Sequence, residues 1–127
     1  MLTLSFLASA MVAIVLHELS HVGMAAALGV KVKQVGLSWR GPYVVRECGT
    51  PAENVAISLA GPVANLLTAL ACLLVGQGVE LCLASLVLGV FNLLPVPASD
   101  GLRAARLLWT IATTTPLAKT GVALARP

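Results

Sequence analysis

Apolar residues fill the first stretch of the chain, from Leu4 to about Leu28. At about 1.5 Å per residue, such a run is long enough to cross a hydrocarbon layer of about 30 Å. It predicts a membrane-spanning helix that stops at Gly29. The pattern then changes. Val30-Lys31-Val32-Lys33 alternates apolar and charged positions, and Val35 to Arg40 does so more loosely, as a strand would. A slip at Gln34-Val35 predicts a bulge, Arg40-Gly41-Pro42 a turn, and Tyr43-Val44-Val45 a second short strand. A small β-hairpin is expected over about residues 30–47.

Thr50-Pro51-Ala52-Glu53 carries the marks of a helix start, with Thr50 as cap, Pro51 at the first position and Glu53 placed for a capping box. The helix should run to about Val75 as a second span, broken by Gly76-Gln77-Gly78. A third span is expected over about residues 80–95. It is short against the roughly 20 residues a span needs. Pro95 and Pro97 should unwind the chain there, and irregular backbone at membrane depth implies a cavity near Asp100. Leu102 to Trp109 is a basic amphipathic stretch suited to the membrane surface. Beyond Thr110 the pattern is too mixed to read, and no internal repeat is visible.

Composition points the same way. Hydrophobic residues make up 58% and charged residues 10%, with a mean hydropathy of +0.95. A soluble domain carries about 25% charged residues, so lipid is the expected solvent. The fold class expected is mostly α and membrane-embedded. It has three transmembrane helices, a small cytoplasmic-side β-hairpin and a C-terminal amphipathic helix, all in one unit over residues 1–127. Ala8-Ser9-Ala10 could pass for a signal cleavage site, but no Lys or Arg precedes it and the apolar run continues, so an uncleaved helix is expected. Lys31, Lys33, Arg40 and Arg46 in the first loop, and Arg103, Arg106, Lys119 and Arg126 near the end, orient the chain. They place the hairpin and C-terminus in the cytoplasm and the N-terminus outside. The net charge of +3 is small and scattered, so no nucleic acid is expected as a partner. Cys48, Cys72 and Cys82 lack metal or disulfide spacing and are expected to be small apolar fillers.

The candidate chemistry lies inside the first apolar run. His17-Glu18-Leu19-Ser20-His21 spells H-E-x-x-H with the chain's two histidines. Residues four apart share a helix face, so both imidazoles can reach one metal ion with Glu18 beside it as a base. Ionisable groups within a membrane helix are expensive and usually functional. A catalytic zinc takes three protein ligands and keeps one position open. Glu47 and Glu53 sit by the cytoplasmic loop and Glu80 at the far end of the third span, so Asp100 is the best third candidate by elimination. A lone Asp-Gly pair is more often a turn or cap, so spacing alone leaves Asp100 evenly divided between ligand and turn. Such a site would lower the pKa of a water to about 7, and Glu18 would move its proton in peptide-bond hydrolysis.

Two further segments, taken with the first, carry a resemblance. Ser58-Leu59-Ala60-Gly61-Pro62-Val63-Ala64-Asn65 falls in the second helix, and Asn92-Leu93-Leu94-Pro95-Val96-Pro97-Ala98-Ser99-Asp100-Gly101 ends the third. In this order and spacing the chain resembles the site-2 protease family of intramembrane zinc metalloproteases over about residues 5–108. The resemblance implies a zinc metalloendopeptidase with one Zn2+ per chain. It makes His17, His21 and Asp100 the metal ligands and Glu18 the catalytic base. It places Asn65 near the active site, where interhelical hydrogen bonding is an equal alternative, and makes Asn92 a candidate active-site support, with capping or bracing of the unwound segment as the alternative. It also implies that the hairpin, through Val35 and Leu37, pairs with an extended substrate by strand addition. An inert loop is the alternative there.

The expected partners are single-span membrane protein substrates and the lipid bilayer. Nothing in these residues resembles the PDZ or nucleotide-sensing domains of larger members, so control of substrate entry is expected either to be absent or to come from a regulatory membrane partner. The compact form suits a prokaryotic cytoplasmic membrane. A competing function is a non-proteolytic zinc-binding membrane protein, a chaperone, transporter or scaffold, which would need no base at Glu18.

Overall fold

A computed structural model describes residues 2–38 and 41–114. The elements, in chain order, are α1 (Leu2–Ala27), β1 (Val32–Ser38), β2 (Gly41–Arg46), α2 (Pro51–Val75), α3 (Val79–Leu93) and α4 (Asp100–Thr114). Helix α2 packs between the others, touching α1, α3 and α4. Its start is set by the expected local chemistry. Thr50 Oγ1 accepts from the Glu53 N–H at 3.3 Å, and the Glu53 carboxylate accepts from the Thr50 N–H at 2.7 Å. Its end is a left-handed Gly76, whose N–H returns to Cys72 and Leu73.

The hairpin is antiparallel, with Gly36 facing Tyr43. Its bulge falls at Lys33, one residue before the expected slip, because Val32 pairs with Arg46 and Gln34 with Val45. Gly41 and Pro42 belong to β2, opposite Ser38 and Leu37, rather than to the expected turn. Arg40, the remaining member of that turn, lies outside the described residues. Gly29 is left-handed and ends α1, as its position predicts.

Among the described residues, two helices are long and apolar enough to cross a membrane, over Leu4–Ala27 and Pro51–Val75. Helix α3, with 15 residues, is shorter than that. It stops at Leu93 because Pro95 has no N–H to continue the ladder. Ala98 then turns the chain through a left-handed φ of 69°, which strains any residue with a Cβ. Helix α4 begins at Asp100 and continues to Thr114, beyond the stretch that patterning picks out.

The distribution of side chains is inverted relative to a water-soluble core. The largest fully buried side chains are Asn65, Pro62, Ser58 and Ser85. Leu4, Leu7, Leu67, Leu73 and Leu74 face outward. Small and polar residues let the helices approach, as expected where lipid, not water, surrounds them. One small apolar cluster, Ala25, Val30 and Ile57, ties the base of α1 to α2. Cys48 corrects one expectation: it is exposed, because it follows β2 on the way to the α2 cap.

Candidate metal centre

The helical period puts His17 and His21 one above the other on α1, with ring centroids 4.7 Å apart and the planes nearly perpendicular. Their Nε2 atoms are 3.1 Å apart. Asp100, from the first turn of α4, brings Oδ2 to 3.1 Å from His17 Nε2 and 3.3 Å from His21 Nε2. The structure thus brings together the three residues that the sequence singles out as ligand candidates. Bonds of about 2.0–2.1 Å in a tetrahedron put neighbouring donors about 3.3 Å apart. The observed triangle has that size, and its two nitrogens and one carboxylate oxygen suit zinc.

The far sides of both rings are held. His21 Nδ1–H donates to the Ile57 carbonyl at 2.6 Å, which leaves Nε2 with its lone pair toward Asp100. His17 Nδ1 lies 3.1 Å from the side-chain amide of Asn65. Asn65 is fully buried, and its Oδ1 has no partner among the described residues. With the amide turned over, Oδ1 accepts from His17 Nδ1–H, and His17 gains the same tautomer as His21. A buried carbonyl otherwise left unpaired costs about 1–3 kcal/mol, so this orientation is favoured when His17 binds a cation.

Two glycines make the approach possible. A Cβ on Gly61 would stand 2.5 Å from His21 Nε2 and 2.7 Å from His17 Nε2, so α2 lies directly against the imidazole edges. A Cβ on Gly101 would collide with the Leu93 carbonyl, so the start of α4 rests on the end of α3. Neither role was visible in the sequence beyond their place in the two motifs. Ser99 fastens the same corner. Its hydroxyl donates to the Leu94 carbonyl at 2.6 Å and accepts from the Leu102 N–H at 3.1 Å.

The triangle opens into a cavity of about 540 Å³. Glu18 and Asn92 line it with the three candidate ligands. Asn92 also donates to the Leu88 carbonyl one turn back on its own helix, at 3.0 Å. Tyr43 and Arg46 of β2 and Arg103 of α4 reach the same cavity, and sequence reasoning missed all three. Alternation alone could not say which hairpin residues face the site. Val35 lies on the exposed side of β1 and is not in the cavity wall. The side chain of Leu37 lies outside the described residues. Burial works against the charged form of Asp100, but when the two Nε2 atoms carry protons, hydrogen bonds from His17 and His21 outweigh it and hold the carboxyl well below the usual carboxylate range; a cation takes the place of those protons. Asp100 therefore stays an anion ready for a cation.

Comparison with known proteins adds a family. A zinc metalloprotease of Methanocaldococcus jannaschii is 31% identical over 108 residues, covering 76% of this chain and 32% of that protein. A Synechocystis sp. protein provisionally named a zinc metalloprotease is 30% identical over 112 residues, covering 77% of this chain and 30% of that protein. No protein-family profile matches the chain. The chain belongs to the zinc metalloprotease family of these two relatives. It spans about a third of the length of each.

Proposed function

We propose that the chain is the core of an intramembrane zinc endopeptidase of the site-2 type, which hydrolyses peptide bonds in or near the transmembrane segments of single-span proteins. The observation that carries the reading is the donor triangle of His17, His21 and Asp100, with Glu18 in the same cavity. In this reading His17 and His21 hold the ion through Nε2 and Asp100 through Oδ2. A zinc held there would supply Lewis acidity and would make a water acidic near neutral pH. Glu18, in the same cavity, is the base placed to move a proton from the attacking water to the leaving amide nitrogen. Asn65 orients the His17 ring. Asn92, at the cavity wall, is placed to steady the scissile backbone. The hairpin, with Val35 and Leu37 on β1, offers a strand to an unwound substrate.

The proposed placement has α1 and α2 crossing the membrane and α3 forming a third, short span that ends at the cavity. The hairpin and α4 then face the cytoplasm of a prokaryotic cell, with the N-terminus outside. The apolar exterior of α1 and α2 supports this placement. The test is cleavage of a single-span reporter by the zinc-loaded chain and its Glu18→Gln variant. Loss of a general base should reduce turnover by about 10²–10⁴-fold with zinc content unchanged. Equal product from both would end the reading.

A further inference from the structure

The chain has five acidic side chains, all among the described residues. Glu18 and Asp100 belong to the metal centre. Glu53 completes the α2 capping box, Glu47 lies 3.8 Å from Lys33, and Glu80 accepts from Ser5 at the other end of the helices. No carboxylate side chain is left for Arg46 or Arg106. Arg46 donates to the neutral Asn54 side chain, and the Arg106 guanidinium has no partner among the described residues. Arg103 reaches only the outer oxygen of Asp100, at 3.8 Å.

These three arginines line a second cavity of about 440 Å³, between the end of β2, the start of α2 and α4. Arg46 and Arg103 line the metal cavity too, so the two spaces share a wall. Burial, and then the charge of Arg103, push the Arg46 guanidinium down from its ordinary value. The three side chains thus bring like charge to one cavity with room for an anion. Guanidinium groups bind carboxylates through paired N–H donors.

We propose that this three-arginine cavity is a subsite for an acidic side chain of the substrate polypeptide, a few residues from the scissile bond. The proposal rests on the proteolytic reading above. An extended peptide advances about 3.3 Å per residue, so a chain lying over the metal centre reaches across the shared wall within a few positions. A lipid headgroup offers similar anionic chemistry. The shared wall favours the peptide, because the ligand must sit where the cleaved chain passes.

The test uses the full chain in nanodiscs and single-span reporters that carry Glu, Gln or Lys at each position flanking the cut. At one position the wild type should prefer Glu over Gln by about tenfold in KM, the size of one charge-assisted hydrogen bond. Arg106→Gln should remove that preference and leave kcat and the Gln reporter within about twofold, as a lost substrate contact does. Arg106→Glu should shift the preference to Lys. A second measurement is independent of turnover: peptide binding to the Glu18→Gln chain, with Glu and Gln peptides compared. Loss of all cleavage with the Glu preference in binding intact would break the protease reading and keep the subsite. Equal handling of Glu and Gln at every position, in both measurements, overturns the proposal. So does a response to Arg106→Gln that appears only in phosphatidylglycerol nanodiscs, and equally for all reporters, which would assign the cavity to a lipid headgroup.

Discussion

His17 and His21 reach their common point through one turn of a single helix, whereas Asp100 reaches it from 83 positions further on, through a corner of irregular backbone. The imidazole pair needs only that α1 be helical. The aspartate needs α3 to stop at Leu93, Ala98 to turn left-handed, Ser99 to bridge Leu94 and Leu102, and Gly101 to rest on Leu93. The first half is local and robust. The second half is a tertiary construction with several independent points of failure. A metal centre built this way loses its ion when the corner moves, even if every helix survives.

The sharpest break in that comparison is Gly101→Ala. Its Cβ must displace the α3 end, and Asp100 moves with it. Zinc affinity should fall by about 100-fold or more, the upper end of what supporting residues contribute. Helix content by circular dichroism should stay near the wild-type value. Gly61→Ala attacks the other half and should do the same, since the new methyl occupies the space of both imidazole edges. Retained stoichiometric zinc in either variant would show that the helices can part without harm.

Asn65→Leu should act next in size. It removes the acceptor behind His17 without changing volume much, and should weaken zinc by about 10–100-fold. The cobalt-substituted protein offers a readout that simple loss of packing would not move: its d–d bands should shift as His17 loses its fixed tautomer. Asn65→Asp keeps the acceptor and should restore most of the affinity. Smaller still is Ser99→Ala, which removes a buried cap and should lower stability by about 1–2 kcal/mol in thermal unfolding, with zinc affinity falling alongside. Thr50→Ala, an exposed cap at the opposite end of the comparison, should lower stability by about 1 kcal/mol and leave zinc unaffected.

The same division runs through what could be read from the residues. The α2 cap, the Gly29 stop, the hairpin and the end of the third helix were legible, because capping, glycine conformation, alternation and proline chemistry act over a few neighbours. The bulge was misplaced by one residue, because alternation does not say which strand residue is left unpaired. The extent of α4 was missed, because its sequence past Thr110 has no distinct period. Tyr43, Arg46 and Arg103 could not be assigned to the site, because their relevance depends on where the hairpin and α4 dock.

The sequence alone determined that two imidazoles share a helix face with a carboxylate beside them, since the α-helical period requires it. It determined an exterior fit for lipid, since 58% of the residues are hydrophobic and few are charged. Only the tertiary structure decided that Asp100 completes the triangle at 3.1–3.3 Å, that Gly61 and Gly101 give the space for it, and that Arg46, Arg103 and Arg106 gather in a cavity beside the site. The reason is range. Hydrogen bonds within a turn act on adjacent residues, but the meeting of distant helices depends on how small residues let whole surfaces pack.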